Sequence, residues 1–371
     1  IMVVTKFNKM NKKELNTGIV EGRITTVEDL LEAHNLSLDD WIIESKDINT
    51  WEVGSKSPNG DMVTTPLYQV KVKLKPRLEE KRLKYIREDV MNDLKKVSPK
   101  VPKKKYKKSN TKLAEIDIFD LHLGKISWKD ETGEHYDLDT ACEVYEDAID
   151  YFIEHMKNQN IGKILLPVGN DFFNTDGSFP FPSTTKKTPQ QNDGRWQKMF
   201  TMGRGLLFDN ILKLTEIAPV DVVMVPGNHD FEKIFYLGDS LEGWFYNNPN
   251  VGIDNSPSPR KYYRYGKCLI GYTHGDKEKA LNLPMIMATE KPVDWGECLY
   301  REFHMGHNHR KKEIKYNSTD ENQGVVLKYM NSLSKTDAWH HEMGYIGAKK
   351  SAEMLVWDEE NGLEQQIFFN S

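Results

Sequence analysis

Five apolar runs in this 371-residue chain each stop at a short segment of Gly, Asp, Asn or His. The runs cover residues 116–119, 164–168, 220–225, 268–272 and 302–305. The segments that follow them are Asp120-Leu121-His122, Gly169-Asn170-Asp171, Gly227-Asn228-His229-Asp230, His274-Gly275-Asp276 and Gly306-His307-Asn308-His309. Strands that read as continuous apolar runs are covered on both faces, so this pattern demands a sheet inside a layered fold. Side chains gathered at the ends of several such strands stand on a rigid scaffold. Five of the chain's eleven histidines fall in these segments. Taken singly, each segment has a plain structural meaning: Gly-Asn is a turn pair, Asp-x-His at a strand end often caps a helix, and a lone His274 reads as a core histidine. Taken in order, the set reads as ligands for divalent cations.

Between these strands lie segments of helical period. Residues 139–158 place Ala141, Val144, Tyr145, Ala148, Ile149, Phe152 and Ile153 at a spacing near 3.6, and residues 196–217 do the same with Met199, Leu206, Leu207, Ile211 and Leu214. Strand alternating with helix is the α/β pattern. Beyond Lys261 short strands dominate, and residues 354–369 read as a hairpin turning at Glu359-Glu360-Asn361-Gly362.

The chain falls into three stretches: a small module over residues 1–75, a charged helix and lysine-rich linker over 76–112, and a large domain over 113–371. In the first, Thr25-Thr26-Val27-Glu28 opens a helix that Asn35 stops, and residues 36–43 read as a second helix capped by Ser37. With strand-like residues 67–74 this is either a helix-turn-helix with a wing or a small packing module. Residues 78–97 form a charged amphipathic helix ended by Pro99 and Pro102. From Lys100 to Lys112 there are seven lysines and no acid, although the whole chain carries a net charge of −5. The run is either a solvated linker or a contact for a phosphate backbone.

Hydrophobic residues make up 38% of the chain and charged residues 29%, and no apolar stretch reaches the ~18 residues of a membrane span. Three cysteines without CxxC spacing, and a lysine-rich start without an apolar run, place the chain in a reducing cytoplasm, that of a bacterium or of a phage-infected host, rather than on a secretory route.

Hard or borderline cations accept mixed carboxylate and imidazole ligands. Alternate residues of an extended chain point the same way, so Asp120 and His122 face one site together, as do His307 and His309. A carboxylate such as that of Asp171 is suited to span two ions ~3.5–4 Å apart.

The ordered set resembles the calcineurin-like metallophosphoesterase superfamily over about residues 111–370, with the G-N-H-D and G-H-N-H segments as its most specific parts. The resemblance implies a four-layer αββα sandwich and two divalent metal ions, Mn²⁺ above Zn²⁺, Fe²⁺ or Mg²⁺. It assigns Asp120, His122 and His309 to one metal, Asn228, His274 and His307 to the other, and Asp171 to the bridge. That family has Gly directly before the bridging Asp; here Asn170 intervenes. Either the turn is one residue longer or Asn170 fills the slot, and a negative carboxylate gains more between two cations. His229 becomes the general acid, with Asp230 holding its imidazole. The implied activity is phosphoester hydrolysis by a hydroxide bridging the metals.

Three substrate classes compete. A nuclease acting on DNA, similar to the SbcD-type repair nucleases of the superfamily and to metallophosphoesterases of bacteriophages, gives the lysine run and the N-terminal module a purpose. A phosphatase or phosphodiesterase on phosphoproteins or small nucleotides fits the metal ligands equally. A non-catalytic nucleic-acid-binding protein sits poorly with a complete ligand set. The polar stretch between Phe172 and Arg204 offers Lys186, Lys187, Arg195 and Arg204 as substrate contacts, with Trp196 as a stacking surface or a core residue. His340 and His341 read as structural.

Overall fold

The computed structural model describes residues 6–7, 13–16, 24–38, 40–56, 59–76, 96–101, 104–107, 111–308, 319–322 and 324–371. The chain divides into two compact units, Ile1–Lys96 and Val97–Ser371. Three sheets and, among the described residues, eight α-helices give it an α+β character. The charged helix expected over residues 78–97 falls almost wholly outside the described residues.

The first unit is an antiparallel sheet of order β1-β2-β4-β3 with one helix: β1 (Lys6–Phe7), β2 (Lys13–Asn16), α1 (Val27–Ala33), β3 (Trp41–Lys56) and β4 (Met62–Pro76). Thr26 caps α1 in a reciprocal box, its hydroxyl accepting from the Asp29 amide while the Asp29 carboxylate accepts from the Thr26 amide. Asn35, at φ 51°, ends the helical path. Val27, Leu30 and Leu31 then pack on Leu15, Val70, Val72 and Leu74, which alternate along their strands.

The second helix expected over residues 36–43 does not form, and the described residues of this unit contain no helix-turn-helix. Ser37 instead accepts from the amides of Asp40 and Trp41, a tight turn, and Trp41 begins β3. The aromatic and β-branched run Trp41-Ile42-Ile43 prefers a strand, and β4 offers it a ladder along its whole length.

The second unit contains β5 (Lys112–Asp117), α2 (Lys129–Thr132), α3 (Leu138–Met156), β6 (Ile161–Gly169), α4 (Trp196–Leu214), β7 (Val220–Val225), α5 (Phe231–Phe245) and β8 (Val251–Asp254). It continues with β9 (Lys261–Tyr265), β10 (Cys268–Thr273), α6 (Leu283–Glu290), α7 (Pro292–Glu297), β11 (Tyr300–Met305), β12 (Thr319–Asn322), β13 (Val325–Tyr329), α8 (Ala338–Glu342), β14 (Ser351–Asp358) and β15 (Gly362–Asn370). One sheet has order β15-β14-β5-β6-β7-β8, in which β5 to β8 run parallel. The other has order β12-β13-β11-β10-β9, in which β10, β11 and β13 run parallel. β14 and β15 are the expected hairpin.

Alternation within each strand splits its side chains between two cores. Ala114, Ile116, Leu166 and Val222 pack with the buried stripes of α3, α4 and α5. Leu113, Leu165, Val223 and Trp357, from the opposite face, share a core with Cys268, Ile270 and Tyr272 of the second sheet. Leu269, Phe303 and Leu327 turn the other way, onto Leu283 and Met287 of α6.

The described part of the lysine run is tied to this unit at the amino edge of the parallel strands. The Lys104 amide donates to the Asn250 side chain, its ammonium pairs with Glu216, and the Tyr106 hydroxyl donates to the Thr215 carbonyl. Thr111 donates to the carbonyl of Asn160, just ahead of β6.

The core shared by the two sheets also encloses charge. His304 Nδ1 lies 2.8 Å from Glu115 and 3.1 Å from Asp117, while its Nε2 lies 3.0 Å from Glu302, itself paired with Lys328. Glu115 also accepts from the Trp357 indole and the Tyr272 hydroxyl. Burial, and then the charge of Glu115, push Asp117 up to about 8. Because that folded-state value lies above the 3.8 of an unfolded Asp, its contribution to stability is complete below pH ~4 and is lost as pH rises through about 8. Burial works against the His304 imidazolium, yet the charge of Glu115 and the carboxylate hydrogen bonds hold it well above the usual histidine range, so its contribution also fades toward alkaline pH. Asp117→Asn, which cannot ionise, is therefore expected to lose less melting temperature than the native chain between pH ~6 and ~8. Equal losses in paired thermal scans would remove Asp117 from this linkage.

Candidate metal centre

All five motif segments leave strands at one edge of the second unit. Asp120 and His122 follow β5, Asp171 follows β6, Asn228 and His229 follow β7, His274 follows β10 and His307 follows β11. Short loops there must turn sharply to aim side chains back over the sheets. Among the described non-glycine residues seven have positive φ, and five of these are Asp120, His122, Asn170, Asp171 and His307. Asn, Asp and His tolerate the left-handed region better than most residues, at a cost of order 1–3 kcal/mol each when the surroundings enforce it. Strain concentrated on candidate ligands indicates a site whose geometry is imposed by the fold.

The centre is dense and largely buried. Asp120, His122, Asp171 and His274 are each no more than 2% exposed. His274 Nε2 lies 2.8 Å from Asn228 Oδ1, 3.0 Å from Asp171 Oδ2 and 3.2 Å from His307 Nδ1. The His122 and His229 rings meet edge to face at 4.7 Å, and His122 Nε2 lies 3.8 Å from Asp120. Two groups of ligand-type atoms within 4.8 Å of one another result, His122 with Asp171 and His229, and His274 with Asp171 and His307. Asp171 belongs to both.

Backbone bonds lock the arrangement. The Asp120 and His122 amides donate to the carbonyls of Asn170 and Asp171, and the His307 amide donates to the Asp120 carboxylate at 3.0 Å. The His229 amide donates to Asp171 Oδ1 at 2.7 Å. His309 lies outside the described residues.

The charges are arranged by burial and by one another. Burial opposes ionisation of Asp171, but His274 and His229 outweigh it and hold its carboxyl well below the usual range. Burial likewise opposes a charged His274, yet Asp171 raises it to about 9. Burial lifts Asp120 to about 7, against the attraction of His274. The donor set suits divalent cations: two carboxylates, four imidazoles and an amide converge. In addition, both side-chain polar atoms of buried Asn170 and Nδ1 of His274 have no hydrogen-bond partner among the described residues.

Asp230 does not hold the imidazole of His229. Its carboxylate is fully buried and accepts from the Gly227 and Phe173 amides, at 2.9 and 3.2 Å, so it ties together the loops after β6 and β7. Those amides sit in turns without a ladder partner and need a buried acceptor. The His229 ring is held instead by the Asn174 carbonyl, 2.8 Å from Nδ1. Any polar residue can present a backbone carbonyl, so no sequence signal marks Asn174. Lys125 was also missed: it is buried behind Asp120 and paired at 3.1 Å with Asp337, which also takes His340.

The substrate-contact candidates divide. The Thr185 amide donates to the Asn228 carbonyl, bringing exposed Lys186 and Lys187 beside the centre, with Lys186 3.6 Å from Asp276. Arg195 precedes α4 and Arg204 lies within it, both exposed, and no hydrogen bond or ion pair among the described residues links either to the centre. Trp196 is 42% exposed, which excludes the core reading.

No protein-family model, no curated protein and no solved structure matches this chain.

Gly306 gives the centre a direct test. A Cβ there would stand 2.6 Å from Asp120 Oδ2, a clash that must displace the carboxylate. Gly306→Ala is expected to weaken Mn²⁺ binding by about 10–100-fold in calorimetric titration, the scale seen when groups that orient a metal ligand are disturbed. Native-like affinity would mean that Asp120 is not a ligand.

Proposed function

We propose that this chain is a two-metal phosphoester hydrolase of the calcineurin-like metallophosphoesterase superfamily, and that its two large sheets and flanking helices form that family's αββα sandwich. The observation that carries the reading is the position of Asp171, whose carboxylate is shared by two groups, one with His122 and His229 and one with His274 and His307. Asp120, His122 and His309 would hold one cation, Asn228, His274 and His307 the other. Bound cations would supply an activated water as nucleophile and charge stabilisation for the phosphoryl oxygens.

The chain's own residues account for the rest. A carbonyl can only accept, so the Asn174 oxygen fixes a proton on Nδ1 of His229 and leaves Nε2 to exchange one. His229 in its imidazolium form then protonates the departing alkoxide from Nε2. Asp230 keeps the turn that carries His229 in place through the Gly227 amide. Lys186 and Lys187 offer positive charge to a substrate phosphate.

The substrate we propose is a nucleic-acid phosphodiester, DNA first, because the cationic loop stands directly beside Asn228 and His229. A phosphatase or phosphodiesterase acting on phosphoproteins or small nucleotides is the second reading, favoured by the tethering of the lysine run at the amino edge of the strands, away from the centre.

The protein loaded with Mn²⁺ is expected to hydrolyse bis-p-nitrophenyl phosphate and to cut single-stranded or duplex DNA. Cleavage of the small diester alone would leave the second reading, and inertness with Mn²⁺, Zn²⁺, Fe²⁺ and Mg²⁺ would sink both. His229→Ala is expected to retain its metal content while turnover falls by roughly 10²–10⁴-fold, the usual worth of a positioned acid. Loss of metal in that variant would make His229 a ligand instead.

A further inference from the structure

One strand along from the centre, the loops after β7 and β8 enclose a cleft of about 310 Å³. Pro226, Phe231, Phe235, Tyr236 and Asn255 are among its lining residues. The volume is at the lower end of the range for small-molecule sites, ≈300–1,000 Å³. β7 and β8 run parallel, so the cleft opens at the same carboxyl edge as the candidate ligands, where open α/β sheets bind their ligands.

Helix α5 is amphipathic in an unusual way. Ile234, Leu237, Leu241 and Phe245 fill the core, yet Phe231, Phe235 and Tyr236 are 40%, 43% and 55% exposed. A helix face toward solvent is ordinarily polar, and three neighbouring aromatic rings there offer a stacking surface. Phe231 also takes the Lys277 ammonium 4.9 Å from its ring centroid, and Lys277 stands three residues past His274. Pro226 and Phe231 of the lining flank the Gly227-Asn228-His229-Asp230 segment in sequence.

We propose that this cleft holds a nucleobase of the substrate whose phosphate lies on the metal centre. The inference rests on the phosphoester reading above. Aromatic faces stack bases without regard to sequence. Among the described residues Glu232 is the only charged one lining the cleft, so the cleft itself repels phosphate and suits an uncharged base with amino groups at its edge. The cations lie outside it, on Lys277 and on the loop of Lys186, where the phosphate would be.

The test compares the full chain with its Phe235→Ala/Tyr236→Ala variant, loaded with Mn²⁺, on two esters: the p-nitrophenyl ester of deoxyadenosine 5′-monophosphate and methyl p-nitrophenyl phosphate. Circular dichroism checks that the exposed substitutions leave the fold intact. The ratio of kcat/KM for the nucleotide ester to that for the methyl ester is expected to fall about tenfold, mainly through KM, in line with the loss of base stacking. An unchanged ratio overturns the proposal. Should the native chain hydrolyse neither ester, the phosphoester reading fails on its own. The cleft is then judged by calorimetric titration with deoxyadenosine 5′-monophosphate. About tenfold weaker binding by the variant supports a base site, and equal binding, or none by the native chain, removes it.

Discussion

A carboxylate with almost no contact with water sits at the end of β6 in the large unit, and most of what surrounds Asp171 answers to it. An ionised group of that kind is tolerated only when paired and hydrogen-bonded. Asp171 has His274 at 3.0 Å and the His229 amide at 2.7 Å. Two more buried carboxyls, Asp120 and Asp230, share the neighbourhood, and burial drives both toward the neutral form. Burial favours a proton on Asp120 and on Asp230, and the charge of Asp171 favours one on His274. Divalent cations would offset the same charge with fewer groups and stronger fields, so the cluster could hold a metal ion.

The geometry around Asp171 is unfavourable locally and is made possible by what lies beneath it. Left-handed backbone at five candidate ligands persists because two sheets and their helices fix where each loop begins. Gly227 shows how tight the fit is: a Cβ there would stand 2.0 Å from Asp171 Oδ1. Close approach of this kind leaves no room for a side chain and sets the spacing between the loops after β6 and β7.

The parts of this arrangement that depend on local pattern could be read from the chain. Apolar runs gave β6, β7, β10 and β11 to within a few residues, helical period gave α3 and α4, and the residues that end the runs did converge. What failed depended on partners distant in sequence. Residues 36–43 carry a helix-like pattern, but the ladder from β4 claims Trp41 onward for a strand. Asp230 looked like a partner for His229 because the two are adjacent, whereas the amides that need Asp230 come from Gly227 and Phe173. Glu115, Glu302 and His304 interrupt strands that otherwise read as apolar, and nothing local tells that each polar group completes another across the sheets.

That buried group of charges also bears on the centre itself. Asp117 stands three residues before Asp120, and His304 three residues before His307. The contact of His304 with Glu115 and Asp117 therefore pins β5 against β11 one step below the point where the His307 amide meets the Asp120 carboxylate. Apolar side chains would pack the two sheets together with more freedom to slide, since dispersion contacts are not directional. An imidazole bonded on both ring nitrogens sets distance and orientation together, although such a network adds little net stability for the desolvation it requires. The register of the two sheets, and with it the gap between the two halves of the candidate centre, is fixed by hydrogen bonds placed where ordinary core packing would have been sufficient to fold the chain.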